Sequence, residues 1–106
     1  MDAETLLTGT KWNILKLLAK KNTSPQEIAN NLNTTIANIS QQLRLLETAG
    51  FVTKKRTGTA KPGKPRVLFS ISDDYCMIIL FTKGFAKKKL VRVSKEQKKV
   101  IQKIIT

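Results

Sequence analysis

Six cations, Lys54, Lys55, Arg56, Lys61, Lys64 and Arg66, crowd one short stretch, and residues 52–72 hold no acidic side chain. A cluster of that sign and density suits a polyanion. Lys and Arg neutralise phosphates, and an Arg can also enter a minor groove. Just upstream lies a second set of different character: Thr35, Asn38, Ser40, Gln41, Gln42 and Arg44. Gln or Asn can form two hydrogen bonds with adenine in the major groove of duplex DNA, and Arg can do so with guanine. Taken alone, such a set is also what any solvated helix face displays. Two features favour base reading. The set is amide-rich with little charge, and it directly precedes the cationic stretch.

Catalysis has little to work with. The chain has no His and one Cys. Acid–base work would fall to Asp73 with Asp74, or to Glu27 and Glu47, and the Asp pair reads better as a turn or a helix cap. Cys76 stands in an apolar run and reads as an inert core thiol. Residues 58–64 lack the spacing and the strand-to-helix setting of a phosphate-binding loop. No enzymatic activity, cofactor or metal is expected.

The elements that must position the two polar sets follow from capping and periodicity. Thr10 is placed to cap a helix over 10–21, with Trp12, Ile14, Leu15, Leu17 and Leu18 giving it a wide apolar face. Lys20 and Lys21 fall in its last turn, where cations suit the helix dipole. Ser24-Pro25-Gln26-Glu27 opens a second helix: Ser24 as N-cap, Pro25 in the first helical position, Glu27 three residues on as in a capping box. Ile28, Ala29 and Leu32 face inward, and Asn30, Asn31 and Asn33 end the helix and make the turn. Thr34 or Thr35 caps a third helix over 34–49. Its core face is Ile36, Ile39, Leu43 and Leu46, with Asn38, Gln41, Gln42 and Arg44 opposite and Ser40 at the edge. Gly50 stops that helix and a strand begins at Phe51. Its partner, residues 66–72, alternates Val67, Phe69 and Ile71 against Leu68, Ser70 and Ser72, with a loop over 57–65 between them. A helix beside a cationic β-ribbon is the arrangement of a winged helix-turn-helix.

The last third is less explicit. Residues 75–82 are apolar throughout and fit a buried strand or a turn or two of helix. The shortness of the run and its end at Lys83-Gly84 favour a strand, which residues 90–93 would pair with. Ser94 caps a final helix in which Val100, Ile101, Ile104 and Ile105 form a stripe, with Lys98, Lys99 and Lys103 outside it. That stripe packs either on its own domain or on a partner subunit. The partner reading is adopted here, because a chain this small has little core to offer. The expected architecture is therefore α+β, mainly α: a winged helix-turn-helix with a β-hairpin wing, an extra short β segment and a C-terminal helix. It is read as one domain over 1–106, with a core of 10–72 and an extension of 73–106 for dimerisation.

Composition agrees with a polyanion partner. The net charge is +13 on 106 residues, and it is uneven: residues 1–51 balance to +1, residues 52–72 to +6 and residues 73–106 to +6. Double-stranded DNA comes first among partners and an anionic membrane surface second, while a merely solubilising Lys-rich surface is the bland alternative. One cysteine allows no intrachain disulfide, which suits a reducing compartment. No apolar run reaches the roughly 18 residues of a membrane span. The acidic start, Met1-Asp2-Ala3-Glu4, lacks the cationic region of a signal peptide. A cytoplasmic, nucleoid-associated protein is expected.

Three segments then resemble the ArsR-like branch of winged-helix transcription regulators. They are Ser24-Pro25-Gln26-Glu27-Ile28-Ala29; the run from Ile39 to Val52, Ile39-Ser40-Gln41-Gln42-Leu43-Arg44-Leu45-Leu46-Glu47-Thr48-Ala49-Gly50-Phe51-Val52; and Gly63-Lys64-Pro65-Arg66-Val67-Leu68-Phe69-Ser70-Ile71. The resemblance covers residues 10–72. It implies that the third helix is the recognition helix and that the protein is a homodimer on a pseudo-palindromic site. Gln42 stands where many members have His. The clustered Cys, His or carboxylates of metal-sensing members are missing, so metal sensing is not carried over. The final third looks more like small archaeal regulators of this kind. A sequence-specific regulator, most simply a repressor, is the leading expectation. An abundant architectural protein that coats DNA through charge is the alternative, kept open by Lys87, Lys88, Lys89, Lys95, Lys98 and Lys99. A winged helix that binds RNA or a protein of the transcription machinery is the third.

Overall fold

The structure, a computed structural model, describes residues 8–57 and 66–106. In chain order the elements are α1 (Gly9–Lys20), α2 (Pro25–Leu32), α3 (Ile36–Thr48), β1 (Val52–Thr57), β2 (Arg66–Ile71), β3 (Tyr75–Thr82), β4 (Phe85–Arg92) and α4 (Lys95–Ile105). They divide into two compact units, residues 1–72 and 73–106.

The starts and stops of α2 and α3 are set by local chemistry. At α2 the Ser24 hydroxyl accepts from the Glu27 amide at 3.2 Å, and Pro25 sits in the first turn. Asn33 ends α2 in the left-handed region, φ 56°, a conformation that Asn tolerates better than most residues. At α3 the Thr35 hydroxyl accepts from the Asn38 amide at 3.1 Å. The α3 terminus is a Schellman motif. The Phe51 amide donates to the Leu46 carbonyl at 3.0 Å and the Gly50 amide to that of Glu47 at 2.9 Å, with Gly50 at φ 88°. The chain then enters β1 without a spacer.

The first unit has one core. Ile14 and Leu18 come from α1, Ile28 and Ala29 from α2, Ile39, Leu43 and Leu46 from α3, Val52 from β1 and Phe69 from β2. The strands β1 and β2 pair antiparallel from Val52↔Ile71 to Thr57↔Arg66. Thr23, in the turn before α2, forms a bridge to Phe69 through amide–carbonyl bonds of 3.2 and 2.8 Å. The two-stranded wing thereby joins the helices through backbone at its root.

Four expectations change here. The first helix starts one residue early, with Thr8 rather than Thr10 at the N-cap position and no side-chain cap bond. Trp12 is 42% exposed and Ile36 50% exposed, so neither belongs to the core. Both lie in the first turn of their helix, on the fringe of the packed stripe. The Glu27 half of the capping box is absent, because its carboxylate is taken by Thr23, Lys21 and Arg66.

The second unit is larger in strand than the sequence suggests. The strands β3 and β4 are eight residues each and pair antiparallel without a bulge, from Tyr75↔Arg92 to Thr82↔Phe85. Lys83-Gly84 makes the turn, with Gly84 at φ 86°, the sign that the third position of a type II turn requires. Thus the segment is strand, and its partner extends back through Lys87, Lys88 and Lys89 to Phe85. The N-terminus of α4 carries a full capping box: Ser94 accepts from the Gln97 amide, and the Gln97 side chain accepts from the Ser94 amide. Asp73 and Asp74 form ion pairs with Arg92 at 3.6 Å and Lys98 at 3.2 Å. No side chain of residues 73–106 is buried. Cys76 is only half-buried, so it is not a core thiol.

Candidate nucleic-acid interface

The helix α3 buries Ile39, Leu43 and Leu46 and so turns the opposite side to solvent. Of the six residues expected to read bases, Thr35, Gln41 and Arg44 are exposed, while Asn38, Ser40 and Gln42 are half-buried. Gln42 is therefore not on the outward face. It follows Ile39 by three positions and precedes Leu46 by four, spacings that set it beside the core stripe. Thr35 and Asn38 are engaged locally. Thr35 caps the helix, and the Asn38 amide donates to the Thr34 hydroxyl at 3.1 Å. The outward face is centred on Gln41 and Arg44. Leu45, 42% exposed, sits with them, four residues after Gln41. Sequence reasoning missed Leu45 because a Leu at near-core spacing reads as core.

The wing cations do not form one array. Register puts Lys54 and Arg56 on the face that carries Val52 and Phe69, and Lys55 on the other face with Leu68 and Ser70. All three are exposed. Lys54 lies 3.9 Å from Glu47 in the last turn of α3, a weak tie between that helix and the wing. Arg66, expected on phosphate, forms an ion pair with Glu27. Glu27 also accepts a 2.7 Å hydrogen bond from the Thr23 hydroxyl and stands 3.8 Å from Lys21. The Thr23 hydrogen bond, then the Lys21 and Arg66 charges, hold its carboxyl below the usual carboxylate range. The pair spans 39 positions of sequence, which no local pattern announces. Lys61 and Lys64 lie outside the described residues.

Among the described residues no group of three or more His, Cys, Asp or Glu side chains is placed to hold a metal ion. Nor is any described helix long and apolar enough to cross a membrane.

A helix-turn-helix whose second helix runs directly into a cationic two-stranded ribbon is a winged helix-turn-helix. Residues 8–54 match the model of the arsR family of bacterial regulatory proteins. Among solved structures it is similar to a homodimeric winged helix-turn-helix DNA-binding domain from Mycobacterium bovis, described as a possible ArsR-family transcriptional regulator. Identity is 28% and the TM-score 0.55, over 65% of this chain and 58% of the other. It is also similar in fold to the ferric uptake regulator of Helicobacter pylori, at 15% identity and TM-score 0.53, over 92% of this chain and 66% of the other. The chain thus spans under two thirds of either protein. Both are bacterial, and the likeness to small archaeal regulators gains no support from them. No curated protein is significantly similar to the chain.

Proposed function

We propose that the chain is a homodimeric transcription regulator that binds a two-fold symmetric site on duplex DNA, and that it represses by occupying promoter DNA. One observation carries the reading. The exposed face of α3 carries Gln41 and Arg44, and a joint at Gly50 delivers the chain straight from that helix to Lys54, Lys55 and Arg56. Gln41 and Arg44 are the base readers, Leu45 and Ile36 supply apolar contact for thymine methyls, and Thr35 lies at the end of α3 nearest the DNA. The half-buried Asn38, Ser40 and Gln42 flank this face. Lys54, Lys55 and Arg56, with Lys61 and Lys64, meet phosphates. Arg66 does so only by leaving Glu27, so its first task is to hold the wing root. Similarity to a homodimeric relative supports two copies, and the α4 stripe of Val100, Ile104 and Ile105, which are exposed, with the half-buried Ile101, is the helical part of the proposed interface. Such a regulator works at the nucleoid, in the cytoplasm.

A second reading rests on charge away from the reading helix. Lys87, Lys88, Lys89, Lys95 and Lys99 are all exposed, as a protein that coats DNA without regard to sequence would have them. Selection of bound duplexes from a random pool at physiological salt decides between the two. Enrichment of a symmetric motif with half-sites about one helical turn apart supports the regulator. Tight but unenriched binding supports coating and reduces α3 to a phosphate contact. If about six phosphates are neutralised per subunit, the log–log salt slope should be roughly −5 per subunit.

A further inference from the structure

The hairpin β3–β4 has an unusual division of chemistry. In an antiparallel pair, opposed residues share a face. One face carries Met77, Ile79, Phe81, Ala86 and Leu90 with Lys88; the other carries Cys76, Ile78, Leu80, Phe85 and Val91 with Lys87 and Lys89. The strand β3 is thus apolar on both faces and has no charged residue from Tyr75 to Thr82, the pattern of a strand buried on both sides. All the charge of the hairpin's middle is on β4. Yet among the described residues β3 pairs only with β4, and Ile79 is 58% and Phe81 78% exposed.

The backbone defines the unpaired side. A two-residue turn leaves only one kind of ladder pair next to it, so Thr82 and Phe85 exchange hydrogen bonds with each other. Alternation then directs the amides and carbonyls of Cys76, Ile78 and Leu80 toward β4, and those of Met77, Ile79 and Phe81 away from it. That outer row has none of the devices that keep edges apart, neither charge, nor Pro, nor bulge. The outer edge of β4 has Lys88 at its middle, between Lys87 and Lys89.

We propose that β3 is the seam of the homodimer: it pairs antiparallel with β3 of a second copy across a two-fold axis, giving a four-stranded sheet in the order β4-β3-β3-β4. This rests on the dimeric reading above and names the part of the chain that carries it. The occupant is a second copy for reasons of charge. Pairing β3 with itself opposes no charges, whereas pairing β4 with itself would set lysines against lysines on a chain of net charge +13. The arrangement also closes. Once the two uncharged edges are used, only lysine-bearing edges remain outside, and growth stops at two copies. A lone hairpin is marginal in water, and this one has no buried side chain of its own, so pairing supplies what its 34-residue unit lacks.

The test is a cysteine scan in full-length protein with Cys76→Ser. Single cysteines go at Met77, Ile78, Ile79, Leu80 and Phe81 on β3, at Ala86 and Lys88 on β4, and at Ile104 on α4. A strand crossing a two-fold axis meets its own copy at one place only, and a disulfide needs Cα atoms within about 7 Å. Oxidation should therefore give covalent dimer at one β3 position or two adjacent ones, and none on β4. Ile79→Lys should turn the dimer into a monomer by sedimentation. A dimer that cross-links at Ile104 but nowhere on β3, or that survives Ile79→Lys, overturns the seam and leaves the dimer standing. A wild-type chain that sediments as a monomer while bound to its DNA site overturns seam and dimer together.

Discussion

The two units of this chain solve the problem of stability in opposite ways. Residues 8–72 bring nine buried apolar side chains from five elements into one core. Residues 73–106 make regular structure of equal quality, a bulge-free hairpin and a fully capped helix, and bury nothing. Hydrogen bonds and caps define what shape a segment takes; burial decides whether it holds that shape alone. An isolated helix of eleven residues and an isolated hairpin are each marginal in water. The first unit therefore has what it needs to hold its shape alone, and the second does not.

The largest effect should come from charging the second unit. Ile101→Glu with Ile105→Glu would put two unpaired carboxylates into the proposed interface, each costing on the order of several kcal/mol. Sedimentation should show a monomer. A persistent dimer would break the contrast at its second half. Next, Ile28→Ala should lower the stability of the first unit by about 2–5 kcal/mol in denaturant titration, since Ile28 is wholly buried. Leu80→Ala should leave that transition almost unchanged in dilute protein and show only where dimer forms. Equal losses would mean that the two units share one core. Arg44→Ala should cost about 1–3 kcal/mol of binding at the selected site and little on random duplex, measured at fixed salt. Equal losses on both would remove Arg44 from base reading. The smallest effect concerns Glu27. Its depressed carboxyl stabilises the fold above the ordinary carboxylate range, and that contribution fades as pH falls through the lowered folded-state value. Glu27→Gln should melt below the wild type at neutral pH and converge with it in acid. A constant gap across that range would show that the carboxylate charge does not matter.

What the sequence disclosed and what it hid divide along the same line. Ser24, Thr35, Ser94 and Gly50 act on neighbours a few positions away, so the starts of α2, α3 and α4 and the stop of α3 could be read directly. The order of helices, wing and final helix followed from them. Tertiary facts were not legible. Periodicity names the apolar side of α1 and α3 but not where packing ends, so the exposure of Trp12 and Ile36 and the half-burial of Gln42 were not legible. The partner of β3 was expected only over 90–93, and its start at Phe85 was hidden by the charges of Lys87, Lys88 and Lys89, which an edge strand tolerates. The ion pair of Arg66 was not legible because its partner, Glu27, lies in another element.

The Schellman joint at Gly50 has a mechanical consequence. One left-handed residue, with both its neighbours hydrogen-bonded back into α3, leaves no slack between helix and ribbon. In a complex with DNA, a base change that tilts α3 within the groove must swing the first wing cations through the same angle. Recognition and grip would then fail as one. A poor operator should reveal itself by weaker binding and also by a shallower dependence on salt.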